Sequence, residues 1–143
     1  MRLADYSKRL LAIAETLHRW LGVLAVLDDA RREKVALYAE EIAATLARAA
    51  AAMAKLSAEP QDAPTFLQAM RELGRIAGYV ETIVSVLKHH LDGRKLAGLK
   101  RRLQQLGDPA PAEGAVPEPR TIRIERLVAA EGYFRALADG LRT

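Results

Sequence analysis

The sequence predicts an all-α protein, an antiparallel helical bundle of three long helices, a short basic amphipathic helix and a C-terminal helix. Three observations carry that reading. Apolar residues recur at alternating spacings of three and four through most of the chain, the signature of helices with one buried face. The hydrophobic half of the composition is dominated by Ala and Leu, with two Phe, one Trp and four Tyr, which favours helix over strand. Clusters of Asp, Gly and Pro interrupt the period where one helix must end and another begin.

The first helix is marked by Leu3, Tyr6, Leu10, Ile13, Leu17, Trp20, Leu24 and Leu27. Lys8, Arg9, Glu15, Thr16 and Arg19 fall off this seam, and Trp20, between Leu17 and Leu24, is expected in the core. Leu11, Leu21 and Val23 widen the stripe beyond a two-stranded seam, so the helix meets more than one neighbour. The register breaks near Asp28 and Asp29, because continuing it would bury Arg31, Lys34 and Glu41. An Asp that accepts a bond from an unpaired amide can start a new helix there, giving a tight hairpin. Arg31 and Arg32 oppose that start electrostatically, and one long bent helix is the alternative.

A second helix follows on Val35, Ala39, Ile42, Leu46, Ala49, Met53 and Leu56, Ala-rich from Ala43 to Ala54 and so open to close approach by a neighbour. Residues 59–64 form a short connection in which Asp62 caps the third helix and Pro64 occupies its first turn. That helix carries Phe66, Met70, Leu73, Ala77, Val80, Val84, Leu87 and Leu91, broadened by Leu67, Ile76 and Ile83. After a slip at Asp92 and Gly93, Leu96, Leu99, Leu103 and Leu106 mark a short helix that Gly107 can end. Residues 107–120 hold four of the six prolines and no periodicity, as a stiff linker does. Residues 121–143 start with a strand-like alternation, but Ile124, Leu127, Phe134, Leu137 and Leu141 fit a helix that docks back on the bundle. Residues 1–143 therefore read as a single helical-bundle domain, with a helical core over 1–106.

The net charge of +4 is unevenly placed. Residues 88–102 carry Lys88, Arg94, Lys95, Lys100, Arg101 and Arg102 against Asp92 alone, so any electrostatic partner belongs there. The absence of cysteine excludes disulfides and thiolate chemistry and fits a cytoplasmic protein. The longest strongly apolar run, Trp20 to Leu27, is too short for a membrane span. No glycine-rich phosphate loop, Ser–His–acid grouping or paired-carboxylate motif is present, and neither catalysis nor a cofactor or metal is expected.

Arg94, Lys95, Lys100, Arg101 and Arg102 form a basic face that can track the phosphates of nucleic acid or of an anionic membrane surface. No aromatic residue is interleaved with them to stack on bases. The same charges serve equally as a solvated face. Glu15 and His18 have the Glu-x-x-His spacing of half a di-iron site, which a symmetric dimer would have to complete with Glu40, Glu41 or Glu81. His18, beside Leu17 on the first helix of a helical hairpin, also resembles the phosphorylated histidine of histidine-kinase dimerisation hairpins. The resemblance covers the first two helices and implies phosphotransfer at His18, with Arg19 standing where those families place an acid. Adjacent His89 and His90 point about 100° apart on a helix and suit its negative end better than a shared metal. The expected function is a non-enzymatic protein–protein interaction or regulatory module, with a protein partner or a second copy meeting the surplus apolar surface. Nucleic-acid or anionic-membrane binding through residues 94–102 is the alternative, and phosphotransfer at His18 the third reading.

Overall fold

The computed structural model describes residues 3–58, 61–107 and 120–142, which form six helices and, among the described residues, no strand. They are α1 (Leu3–Arg19), α2 (Leu21–Leu24), α3 (Asp29–Ala58), α4 (Ala63–Leu87), α5 (Gly93–Gly107) and α6 (Arg120–Arg142). The all-α bundle follows the period of the sequence. The proline-rich linker lies outside the described residues except for its two ends.

Packing runs round a closed ring, with α4 and α6 flanking α3, α1 lying on α6, and α5 joining α1 to α4. Arg48 with Glu72 and Lys55 with Asp62 set α3 and α4 antiparallel. Arg142, at the end of α6, reaches Glu33 and Glu40 near the start of α3. Thr16 meets Arg102 while Arg9 meets the Gln105 carbonyl, so α5 runs against α1. His18 beside Tyr133 and Leu21 beside Gly140 show that α1 and α6 are parallel neighbours. The core inside the ring includes Leu10, Ile13 and Leu17 of α1, Ile42 and Leu46 of α3, Ile76, Val80 and Ile83 of α4, and Phe134 and Leu137 of α6. Each such side chain contributes about 1.5–3 kcal/mol on leaving water.

The chain breaks and turns between the first two long segments rather than continuing as one bent helix, but the two do not pack as the expected tight hairpin, because α6 lies between α1 and α3. Asp28 accepts from the Arg31 amide at 3.3 Å through its side chain and from the Arg32 amide at 2.9 Å through its carbonyl. The two arginines that oppose a helix start are neutralised locally: Arg31 pairs with Asp28 at 2.7 Å, and Arg32 pairs with Asp29 and donates to the Ala25 carbonyl. Asp62 caps α4 as expected, accepting from the Thr65 amide at 3.1 Å.

Two positions depart from the sequence reading. The first helix stops at Arg19, where Trp20 adopts φ −89° and ψ 11° and its amide is shared between the Thr16 and Leu17 carbonyls. Trp20 is consequently half-buried at the rim, not in the core. On α4, Phe66 and Leu67 are 50% and 53% exposed, whereas Ala69 is fully buried. Ala69 lies between the cross-links at Asp62 and Glu72, opposite the Ala-rich part of α3, where small side chains let the helices approach and leave no room for Phe66. Of the residues that widen the apolar stripes, Ile83 is core, Leu11 and Leu21 pack against the core, and Val23 and Leu67 stay outside.

Buried polar groups are satisfied by short local or cross-helix bonds. The Tyr6 hydroxyl crosses the core to donate to the Leu73 carbonyl at 2.6 Å. Thr16 and Thr45 each donate to the carbonyl four residues back, at 2.7 Å. Among the described residues Glu72 Oε2 is the exception: it makes no hydrogen bond and is held by charge alone, 3.3 Å from Arg48 and 3.8 Å from Arg75.

Candidate anion-binding cleft

The amphipathic pattern of α5 decides which of its faces is available. Leu99 and Leu106 are buried and Leu96 and Leu103 pack against the core, so the cationic side is turned outward along α1. Asp92 accepts from the Lys95 amide at 2.9 Å, fixing the start of α5 and hence the position of Arg94 and Lys95. Between α5 and the end of α1 lies a cleft of about 260 Å³. Its lining includes Arg94, Lys95, Arg101 and Arg102 from α5, and Thr16, Arg19 and Trp20 from the α1 side.

Four of the five cations expected to bind phosphate are thus brought together in one concavity. Lys100 is exposed on α5 but is not part of the lining. Thr16, Arg19 and Trp20 are additions that the sequence did not place at the basic face, Trp20 having been expected in the core, because nothing in one helix's periodicity tells which other helix lies beside it. The lining holds five cations and no carboxylate.

At its centre Thr16 Oγ1, which donates to the Ala12 carbonyl, accepts from both Arg19, at 3.3 Å, and Arg102. Two guanidinium groups from different helices thereby share one neutral oxygen. Thr45 and Arg48 repeat the geometry of Thr16 and Arg19, with the threonine bonded to the Glu41 carbonyl and Arg48 donating to Thr45 at 3.1 Å. There the second partner is the buried Glu72 carboxylate, which neutralises the arginine. In the cleft the second partner is another arginine. Lys95 Nζ lies 6.0 Å from the centroid of the Trp20 ring, within cation–π reach, and 3.9 Å from Asp92.

The other candidates stand apart from this cleft. His18 is half-buried, with its ring edge-on to Tyr133 at 5.4 Å. Glu40 is engaged by Arg142, while Glu41 and Glu81 are exposed on α3 and α4. Among the described residues no three His, Asp or Glu side chains are grouped to hold a metal ion. His89 and His90 are exposed in the turn after α4 and line a shallow groove of about 460 Å³ with Asp28, Arg31 and Lys34. The Arg31 side chain, bonded to Asp28, holds that carboxyl below its usual range.

No helix among the described residues is long and apolar enough to cross a membrane. Comparison with known protein families, curated proteins and solved structures gives no significant match to the chain.

Proposed function

We propose that this protein is a non-catalytic cytoplasmic binding module that recognises the phosphate groups of a soluble polyanion through the cleft between α1 and α5. The convergence of Arg19 and Arg102 on Thr16, with no carboxylate in the lining, carries the reading. Guanidinium groups pair with phosphate through parallel N–H donors, and two of them held together present such donors to one anion. A bilayer surface fits less well. An amphipathic helix binds lipid by inserting its apolar side, and that side of α5 is spent on the bundle.

The test is binding to inorganic polyphosphate across a salt series. The double variant Arg19→Gln/Arg102→Gln is expected to bind more weakly and to lower the slope of log K against log salt by roughly 1.5, for two lost phosphate contacts. An unchanged affinity and slope would exclude the cleft as the site.

A protein-binding or regulatory role is the second reading, favoured by the adjacent exposed side chains Phe66 and Leu67. With a second copy as the partner, light scattering is expected to show a mass that rises with concentration. Phe66→Asp/Leu67→Asp should return it to that of one chain. A constant single-chain mass for the unaltered protein would remove self-association.

A further inference from the structure

The cleft combines its cations with an element that phosphate alone does not require. Trp20 stands at the break between α1 and α2, packs against the core yet is not engulfed by it, and lines the same concavity as Arg19, Arg94, Lys95, Arg101 and Arg102. Resting on the reading above, we infer that the polyanion is single-stranded nucleic acid, with one base stacked on Trp20 and its flanking phosphates held by Arg19 and Arg102.

Three features point to a strand. A duplex keeps its bases stacked inside and offers the protein mainly phosphate, whereas a single strand can splay a base onto a recessed aromatic ring. The cleft, at about 260 Å³, is smaller than the ~300 Å³ at which sites that enclose a small molecule begin, so it suits part of a longer ligand. It is also asymmetric in the required way. Trp20, Thr16 and Arg19 come from the end of α1, while Arg94, Lys95, Arg101 and Arg102 carry the positive charge along α5, where successive phosphates would run.

Lys95 is the movable part. Its ammonium rests near the Trp20 ring at the outer limit of cation–π distance, and its pairing with Asp92 is loose at 3.9 Å. A base arriving over the indole would displace the ammonium outward, toward the strand's own phosphate.

Trp20 is the sole tryptophan, so its fluorescence reports the proposed contact directly. The experiment titrates the intact protein with a twelve-nucleotide oligothymidylate, the matched duplex, inorganic polyphosphate and vesicles containing anionic phospholipid. Expected are strong quenching by oligothymidylate, little by polyphosphate, and tighter binding of the strand than of the duplex. Trp20→Leu should weaken strand binding roughly ten- to hundredfold and leave polyphosphate binding unchanged, while Trp20→Phe, which keeps a stacking ring, should retain most of it. Circular dichroism of both variants checks that the helices persist, and the Phe variant keeps the test decisive should the Leu variant misfold.

Equal binding of strand, duplex and polyphosphate, with no effect of Trp20→Leu, would overturn the single-strand inference and leave the phosphate reading standing. Preference for the vesicles would overturn the inference too. No binding of any of the four at low salt would overturn both.

Discussion

Tyr6 illustrates how one polar group is fitted into an apolar ring of helices. Its hydroxyl is sealed from water and its bond to the Leu73 carbonyl links α1 to α4. Tyr6→Phe keeps the packing and removes that bond, so it should cost about 1 kcal/mol, read as a lower urea midpoint at unchanged slope. Burial also holds the phenol neutral well beyond its ordinary ionisation at 10.0. A group whose ionisation is raised by folding stabilises below its unfolded value and loses that contribution as the pH climbs. Stability should therefore fall as pH rises above about 10, and the Phe variant should fall less steeply. The seam residue was legible in the sequence, the bond was not. Trp20 shows the converse: its spacing placed it in the core, but spacing cannot register that the helix stops at Arg19 and turns the indole to the rim.

Among the elements, α5 was the most legible, because a leucine stripe opposite clustered Arg and Lys has one sensible orientation against a bundle. What the pattern could not supply was its neighbour. The pairing of α5 with α1 brings Arg19, Thr16 and Trp20 to the basic face, and that pairing depends on how five helices close a ring. The turn at Asp28 was half legible, since the capping residues were visible, while the side-chain pairs that compensate Arg31 and Arg32 and the insertion of α6 between α1 and α3 were not. Glycines on two helices test the packing. Gly74 on α4 has open space where a Cβ would sit, so Gly74→Ala should stabilise by about 0.5–1 kcal/mol through helix propensity. At Gly140 on α6 a Cβ would come within 2.8 Å of Leu21, and the same change should stabilise less or destabilise as Leu21 is pushed aside. Thermal unfolding of the two variants side by side decides it; an equal gain at both would mean that α6 does not press on α2.

At the scale of the whole molecule, helix content and order followed from periodicity, while the ring and the parallel placement of α1 beside α6 did not, because short-loop reasoning favours antiparallel neighbours. Arg142 secures this arrangement from the far end, bridging Glu33 and Glu40 of α3. Its hydrogen bond and charge hold the Glu33 carboxyl below its usual range, so this tie is complete near neutrality and weakens on acidification.

The same parallel placement bears on how the chain is made. α6 fits between α1 and α3, both synthesised long before it, and the stretch from Ala58 to Arg120 must be translated before the space can be filled. Counting α6 itself through Arg142, synthesis at about 5–20 residues per second leaves the flanks of α1 and α3 bare for roughly 4 to 17 seconds on the ribosome. During that interval the growing chain holds an unfinished apolar trough, the kind of transiently exposed surface that chaperones cover.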